Sequence, residues 1–482
     1  MLSCCANLAK MAKMAKVGKV AGVPRGMVYS GQLFTTSAIV LATPRQKEGK
    51  TKQAMRRKAD VKDKVKKTTS LTHLGFRDAV RELKFEKLAS VLNVDELNIS
   101  SLKAEVVTKY PAKIEAKLRA LLAFKPYQHH ELFKNPISLV TSNTERIKKS
   151  FVEQLEKGSK TNRIYLDGKK GCGKSTLVNQ AIALALNKFE NNVVILHMHS
   201  ADLIGNGTSD YFKNSKLGLY QQPMATKRWL TKLLAANEDV FKKIKLTKDV
   251  QFVRDKREIE LKANKNTIFD YVSQNREINT GMPTMSFQFF IQQLIDNSAK
   301  FPVILSVDDF NAMADYSKTQ YFHPDHTPIH INEFELADTI FKFASGELSF
   351  EKGGVLLAKS FNFAPKRMTT HIAVYPEEEY DPYMKLPMFD IKIAQRLLQN
   401  GGIKPFKVED MTKLETKALL KFWRDQNVLI VRQDFHKQEY GDTEKPQAEF
   451  DEEKQFEKIV QSSYVISQGN PYGLVKQSLL SY

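Results

Sequence analysis

Three glycines and two hydroxyl residues surround Lys174 within the nine positions from Gly168 to Thr176. Glycine permits backbone angles that a side chain would forbid, so successive amide groups can turn toward one anion. A lysine adds a positive charge on a long stem, and a serine hydroxyl can coordinate Mg²⁺. The spacing fits the Walker A pattern, and it predicts that nucleotide phosphates are bound by Gly168, Lys169, Lys170, Gly171, Cys172, Gly173, Lys174, Ser175 and Thr176.

Two adjacent carboxylates follow the apolar run from Val303 to Val307. An apolar strand that ends in an acid can place a carboxylate beside a metal, usually through a water molecule. We therefore predict that Asp308 and Ser175 lie beside Mg²⁺. Asp309 stands where hydrolytic relatives often have Glu, and its candidate catalytic role is to activate a water, although its shorter side chain reaches less far. The alternative interpretation is a strand followed by an acidic cap.

The sequence specifies phosphate binding more sharply than it specifies the base. Ser360 follows the next buried strand, where additional-strand P-loop ATPases have a polar residue that senses the terminal phosphate; a plain strand end is the alternative. Neither an Asp-x-x-Gly pattern after Asp308 nor an Asn-Lys-x-Asp selector of guanine is found. The expected cofactors are therefore GTP or GDP, or else ATP, together with Mg²⁺. Hydrolysis, if there is any, is expected to be slow.

Four short runs rich in Val, Ile and Leu predict the strands that must position these residues. None shows the polar alternation of a sheet with one solvated face, so each strand is expected to be buried on both faces. Such strands belong to a mainly parallel sheet covered by helices. The predicted fold class is α/β, a P-loop NTPase core similar to additional-strand (AAA+-like) ATPases. The runs are 163–167, 192–198, 302–308 and 354–360.

The chain divides into segments of different composition. Residues 1–45 are predicted to form a mitochondrial presequence, and residues 46–125 a basic N-terminal extension that is partly helical. The P-loop core is expected to span 126–390, with a long insert at 200–299 that contains a helix around Trp229. Residues 391–482 are expected to form a smaller C-terminal unit of helical or mixed structure. Within this unit, Thr412 and Glu415 have the spacing of a capping box.

The net charge of +20 on 482 residues is concentrated near the N-terminus. Residues 1–70 contain 16 Lys or Arg against three acids, and four lysines recur every third residue from Lys10 to Lys19. This basic and amphipathic composition is typical of a mitochondrial import sequence; a basic tail that binds nucleic acid is the alternative. Residues 26–44 are uncharged but carry too many polar side chains for a membrane span, so no span is expected.

Four further segments follow one another in a consistent order: His199-Ser-Ala-Asp-Leu, Tyr220-Gln-Gln-Pro-Met-Ala-Thr-Lys-Arg-Trp-Leu, Leu305-Ser-Val-Asp with Asn311-Ala, and Ser467-Gln-Gly-Asn-Pro-Tyr-Gly-Leu. Together with the glycine-rich segment 168–176, called the phosphate loop below, they resemble the death-associated protein three family of nucleotide-binding mitochondrial small-subunit ribosomal proteins. The resemblance covers about residues 160–482, is loose between the motifs, and is weak over residues 1–125. The divergence suggests a fungal-type member.

The resemblance implies a P-loop core that holds its nucleotide largely for structure. It also implies a place in the mitochondrial matrix, in the small subunit of the mitochondrial ribosome. The implied partners are other small-subunit proteins, small-subunit rRNA and the large subunit. Family members are regarded as guanine-nucleotide binders, and the missing base selector leaves ATP open. The basic residues in 50–67 suit a phosphate-rich partner, because neutralising phosphates releases counterions.

Three hypotheses about function follow. The first is a structural component of the ribosomal small subunit that contains a bound purine nucleotide and Mg²⁺. The second is an active ATPase or GTPase switch, in which Asp309 positions water and the C-terminal unit moves. The third is a mitochondrial ATPase that handles nucleic acid outside the ribosome.

Overall fold

The computed structural model describes residues 94–125, 133, 135–254, 257–274, 283–363, 367–378, 389–429 and 452–479. These residues all fall within one of the two compact units into which the chain divides. The predicted presequence 1–45 and the basic segment 50–67 lie outside the described residues, so their assignments stay predictions.

Short strands alternate with helices along the described residues. The strands are β1 (Val107–Lys109), β2 (Ile137–Leu139), β3 (Arg163–Asp167), β4 (Val194–Met198), β5 (Phe212–Lys213), β6 (Tyr220–Gln221), β7 (Val250–Arg254), β8 (Arg257–Leu261), β9 (Val303–Val307), β10 (Lys318–Phe322), β11 (Pro328–His330), β12 (Gly353–Ala358) and β13 (Lys404–Lys407). The helices are α1 (Ala112–Ala120), α2 (Ser142–Ile147), α3 (Lys174–Lys188), α4 (Asp202–Gly205), α5 (Pro223–Phe241), α6 (Ile268–Gln274), α7 (Pro283–Asn297), α8 (Phe310–Ala314), α9 (Glu335–Ser345), α10 (Thr369–Val374), α11 (Ile391–Leu397), α12 (Lys413–Asp425), α13 (Glu452–Ser467) and α14 (Pro471–Leu479). Within the part of the chain that the structure describes, no helix combines the length and the apolar character that crossing a bilayer requires.

Five strands form a parallel sheet in the order β13-β3-β12-β9-β4. Every residue of β4, β9 and β12 is buried, as expected for strands that helices cover on both faces. The predicted α/β class with a mainly parallel sheet is therefore confirmed. Because the strands are parallel, their carboxyl ends meet at one edge, where the phosphate loop, Asp308 and Ser360 lie close to the ends of β3, β9 and β12.

The insert covers one open edge of this sheet. In α5, the Asn237 amide donates to the backbone carbonyl of Ile195 in β4 and accepts from its N–H, at 2.8 Å each. The Trp229 indole of the same helix donates to the backbone carbonyl of His197 at 2.9 Å. An edge strand otherwise exposes unpaired backbone groups. The helix that the sequence predicts around Trp229 is thus present, and it closes the β4 edge.

The opposite edge strand, β13, lies beyond residue 390. Its sequence Lys-Pro-Phe-Lys buries only Phe406, and a proline suits a strand at the edge of a sheet. Shortly after β13, the Thr412 hydroxyl accepts from the N–H of Glu415 at 3.2 Å, and the Glu415 carboxylate accepts from the N–H of Thr412 at 2.7 Å. The predicted capping box at the start of α12 is confirmed. The proposed domain boundaries stay a prediction.

Helices α12, α13 and α14 share a hydrophobic core with β2. Helix α12 is also joined to α2, which follows β2, by a polar contact: a Glu415 carboxylate oxygen accepts from the N–H of Ser142 at 2.7 Å. The fully or almost fully buried members of this core include Ile137, Leu420, Trp423, Phe456 and Leu474.

A buried carboxylate at the start of α9 gives the fold a pH dependence. Glu335 is 5% exposed and accepts a hydrogen bond from the Gln221 amide at 2.6 Å. Burial raises the pKa of Glu335 from 4.5 to about 7, against the opposing effect of that hydrogen bond. Over this range the folded protein holds a proton that the unfolded chain has released. Stability from this group is therefore complete below pH 4.5 and is lost as the pH rises through about 7.

Glu335→Gln is expected to remove this pH dependence and to raise the free energy of unfolding at about pH 8 by up to about 3 kcal/mol. The amide keeps an oxygen that accepts from Gln221 and has no charge to bury. Urea unfolding at about pH 5 and about pH 8 measures the change. Glu238→Gln, which alters a half-exposed side chain, should behave as the wild type. A Glu335→Gln protein that keeps the wild-type loss of stability would contradict this account.

Candidate nucleotide-binding site

The phosphate loop connects β3 to α3 at the carboxyl edge of the sheet. Gly171 and Gly173 have φ angles of 78° and 94°, in the left-handed region that residues with a Cβ rarely adopt. Helix α3 begins at Lys174 with Gly173 as its N-cap, so its unpaired N–H groups and partial positive charge point at the loop. This local geometry is that of an anion-binding loop at a helix N-terminus.

The Lys174 ammonium is folded back onto the loop. It donates to the carbonyl oxygens of Gly168 and Lys169 at 2.9 and 2.6 Å. The residue is 7% exposed, and its Nζ lies 5.6 Å from the centre of the Phe361 ring. Phosphate oxygens carry charge and are stronger acceptors than these carbonyls. The ammonium is thus placed where an entering phosphate can replace its present partners.

A cavity of about 290 Å³ opens beside the loop. Residues 170–176 form its polar side, and they are joined there by Lys359 and Ser360. Leu139, Met411 and Val475 give it an apolar wall. Apolar walls with a few convergent polar groups are typical of ligand pockets. This combination suits a flat ring system that carries a charged tail.

The start of α14 binds the outer side of the loop. The Asn470 amide donates to the carbonyl of Lys170 at 2.9 Å, and the N–H of Tyr472 donates to the carbonyl of Gly171 at 3.2 Å. A Cβ on Gly171 would overlap the Tyr472 side chain. The Asn-Pro element that carries part of the family resemblance is therefore a structural part of this site.

The two aspartates after β9 are paired with Lys125. The Lys125 ammonium lies 2.9 Å from Asp308 Oδ2 and 2.8 Å from Asp309 Oδ1. Asp308 and Asp309 are buried, whereas Lys125 lines the cavity above them. Burial lowers the pKa of Lys125, but the two carboxylates outweigh burial, and the pKa lies above its usual value. The ammonium is therefore charged.

Asn311 fixes the segment that follows β12. Its amide donates to the carbonyls of Ser360 and Phe363 at 2.8 and 3.0 Å, and its oxygen accepts from the N–H of Ser360 at 2.7 Å. These bonds hold Ser360 at the lining of the cavity, where its hydroxyl accepts from the N–H of Asn362 at 3.3 Å. Ser360 thus lines the same cavity as the loop residues, and its predicted role in sensing the terminal phosphate stays a prediction.

The structure brings most of the predicted site residues to one cavity. Residues 170–176 and Ser360 line it, whereas Gly168 and Lys169 lie behind it and Asp308 and Asp309 lie beneath Lys125. The roles of all these residues in binding nucleotide or metal stay predictions. Sequence reasoning missed Lys125. A signal for such a partner exists in the sequence, because two adjacent acids at the end of a buried strand need compensating positive charge.

The donor groups fit Mg²⁺ only in part. Ser175 lines the cavity, and its hydroxyl is a suitable oxygen donor. Asp308, in contrast, uses Oδ1 to accept from the N–H of Asp309 at 2.9 Å and Oδ2 to pair with Lys125. The described residues contain no group of three or more His, Cys, Asp or Glu that could hold a metal ion. A fit through Ser175 and nucleotide phosphates is better supported than one through Asp308.

The parallel sheet, the glycine-rich loop between β3 and α3 and the adjoining cavity define an α/β protein with a P-loop-like core. The model of one protein family, the mitochondrial ribosomal death-associated protein 3, matches residues 138–477. The chain belongs to this family. The predicted family and the predicted mitochondrial localisation are confirmed.

Two curated relatives come from fungi and are named small ribosomal subunit protein mS29. The chain is 25% identical over 256 residues to the protein of Schizosaccharomyces pombe, and the match covers 52% of each chain. It is 24% identical over 364 residues to the protein of Neurospora crassa, covering 70% of each chain. The chain thus spans about half the length of the first relative and 70% of the second. The fungal relatives agree with the predicted fungal type.

Proposed function

We propose that the protein is a structural component of the small subunit of the mitochondrial ribosome that holds a purine nucleotide in its phosphate loop. The observation that carries this proposal is the family match over residues 138–477, which includes the phosphate loop, the acidic pair formed by Asp308 and Asp309, and the Asn-Pro element at Asn470. The names of both fungal relatives support the ribosomal part. The protein would then support mitochondrial translation as a folded constituent of the particle.

The proposed ligand is GTP or GDP, or else ATP, together with Mg²⁺. Its phosphates would accept hydrogen bonds from the N–H groups of the loop and from the Lys174 ammonium. Ser175 would contribute its hydroxyl oxygen to the metal. The base would lie against the apolar wall that contains Leu139 and Met411. A ligand that binds only the folded state adds a few kcal/mol of stability at about a hundredfold excess over its dissociation constant.

The order of strands supports a relation to the additional-strand ATPases. In the sheet, β12 lies between β3, which leads into the loop, and β9, which leads into the acidic pair. That intervening strand is the feature that gives the class its name. Ser360, which follows β12, would then approach the terminal phosphate.

Binding without rapid turnover is the form of this function that the site supports best. Asp309 is the candidate to activate water, and its Oδ1 is paired with Lys125 at 2.8 Å. This ion pair occupies an oxygen that would otherwise be available to orient a water molecule for attack. An active ATPase or GTPase switch is therefore the less supported alternative.

The proposed partners are small-subunit proteins, small-subunit rRNA and, across the interface, the large subunit. The basic segment 50–67, which we propose for contact with the RNA backbone, lies outside the described residues. Contacts between lysines or arginines and phosphates weaken as salt rises. Assembly is therefore best examined at a defined and moderate salt concentration.

In a gradient of mitochondrial extract at moderate salt, the tagged protein is expected to sediment with small-subunit rRNA. Denaturing the purified particle should release a purine nucleotide, and chromatography would identify its base. A Lys174→Ala chain in the same gradient separates the ribosomal part of the proposal from the nucleotide part, since it tests assembly without the loop lysine. A protein that stays at the top of the gradient would overturn the ribosomal assignment. If the denatured particles release no purine nucleotide that can be attributed to this chain, the proposal that it binds one is wrong.

A further inference from the structure

Lys125 reaches the acidic pair from a segment far away in the sequence, and several contacts fix it there. The segment leaves α1 through Leu121 and Ala123, both of which are buried. The Asn179 amide, in the phosphate-loop helix α3, donates to the carbonyl of Ala123 at 3.0 Å. The helix that begins at Lys174 therefore also sets the position of Lys125. These contacts fix the Lys125 segment, so the ammonium is a structurally fixed part of the site.

The acidic pair is shaped around this ammonium. Asp309 has a φ of 54°, a backbone conformation that is uncommon for residues other than glycine. In this conformation its Oδ1 lies 2.8 Å from Lys125 Nζ, while Asp308 Oδ2 lies 2.9 Å from the same atom. Asp308 Oδ1 accepts from the N–H of Asp309. The ammonium therefore stands between the two carboxylates and supplies the positive charge that this pair of acids needs.

The charges explain why a cation is needed here and why a second one is unfavourable. Two buried carboxylates without a counter-ion carry a large desolvation cost, which one bound ammonium reduces. A divalent ion that bound the same carboxylate oxygens would have to displace the ammonium from them. The displaced ammonium would still lie close to the ion, and the two positive charges would repel each other. Lys125 lines the cavity and the two aspartates do not, so a metal in the cavity faces the lysine before it reaches either carboxylate.

We infer that Lys125 is a built-in cation that takes the place of a metal at Asp308 and Asp309. The pair then neither coordinates Mg²⁺ nor positions a water, and the cavity presents an ammonium where a metalloenzyme would present a carboxylate-bound ion. For the nucleotide-bound protein this inference rests on the proposed function. It assigns Lys125 a direct role at the phosphate end of the ligand and leaves Mg²⁺ to Ser175 and the phosphates.

Titration with Mn²⁺ alone, followed by electron paramagnetic resonance on the nucleotide-free full chain, tests the inference. Wild-type protein is expected to bind Mn²⁺ no more tightly than about 1 mM, the weak end for protein oxygen sites. Lys125→Met should bind it at least about tenfold more tightly, because the freed carboxylates need a cation. Lys188→Met, which removes the ion pair with Glu156 at the far end of α3, is the matched control and should behave as the wild type. Adding Asp308→Asn to Lys125→Met should abolish the gain.

Wild-type protein that binds Mn²⁺ as tightly as Lys125→Met would overturn the inference, and so would a double variant that keeps the gain. If Lys125→Met does not fold, the inference is tested instead on the single variant Asp308→Asn. The ratio of mant-GDP or mant-ADP affinities measured with Mg²⁺ and with EDTA should then stay within about threefold of the wild-type ratio. A tenfold fall would show that Asp308 is a metal ligand after all.

The two proposals fail in different ways. The Mn²⁺ titration contains no nucleotide, so it judges the role of Lys125 even if the loop binds none. Wild-type protein that binds neither mant-GDP nor mant-ADP would overturn the proposed ligand and leave the titration result standing.

Discussion

Replacing Lys174 with alanine is expected to weaken nucleotide binding by roughly thirtyfold or more, because truncating one partner of a buried charge pair costs about 2–5 kcal/mol. Lys174 is 7% exposed, and its ammonium already lies against the loop carbonyls. A phosphate that enters the loop would exchange these neutral acceptors for a charged one. The backbone N–H groups remain in the variant, so binding should be weakened and not abolished.

Equilibrium titration with mant-GDP and mant-ADP in the presence of Mg²⁺ measures this change. Lys188→Ala is the matched control, since Lys188 is the last residue of the helix that Lys174 begins. Its Nζ pairs with Glu156 at 2.9 Å. The control should retain the wild-type affinity. An unchanged affinity in Lys174→Ala would show that the ligand is not held by this loop.

Gly469→Ala is expected to lower the free energy of unfolding by more than about 3 kcal/mol, because backbone strain and overpacking add at this position. Gly469 has a φ of 71°, and a Cβ there would overlap the carbonyl oxygen of Met411. Relief of that overlap would break the hydrogen bond from the N–H of Met411 to the carbonyl of Gly469, which measures 2.8 Å. Asn470 would move with its neighbour and lose its hydrogen bond to the carbonyl of Lys170 in the loop. Nucleotide affinity should therefore fall as well.

Urea unfolding and the same nucleotide titration measure both effects. Gly218→Ala is a control for strain alone, because Gly218 has a φ of 70° and no atom within 4 Å of the added Cβ. It should cost about 1 kcal/mol, the usual penalty for a left-handed residue with a side chain. Equal losses in the two variants would contradict the role of the contact between Gly469 and Met411.

Features set by neighbouring residues could be predicted from the sequence. The glycine spacing of the loop, the capping box of Thr412 and Glu415, and the apolar runs of β3, β4, β9 and β12 each depend on a few adjacent positions. The local backbone and the burial of these elements follow from residue type alone. The parallel sheet and the location of the loop at its carboxyl edge were therefore predictable.

Features set by distant pairing could not be predicted. β13 has no apolar run, since Phe406 is its only buried residue, and it becomes a strand by pairing with β3. Lys125 meets Asp309 across 184 residues of sequence, and its position depends on the bond from Asn179 to Ala123. The two adjacent acids signal that a positive charge is needed, but no local pattern says which distant residue supplies it. Lys125, which completes the acidic pair, was therefore missed, although the pair itself was identified.

The contact between the phosphate loop and α14 has a consequence for the order in which the molecule matures. Translation proceeds from the N-terminus, and 300 residues separate Lys170 from Asn470. A nascent chain in which the loop has emerged still lacks the apolar wall contributed by Val475 and the outer support from Asn470. If the proposed nucleotide is bound here, its retention would be a late event in biogenesis, because the site is complete only after the chain has been synthesised and folded through α14.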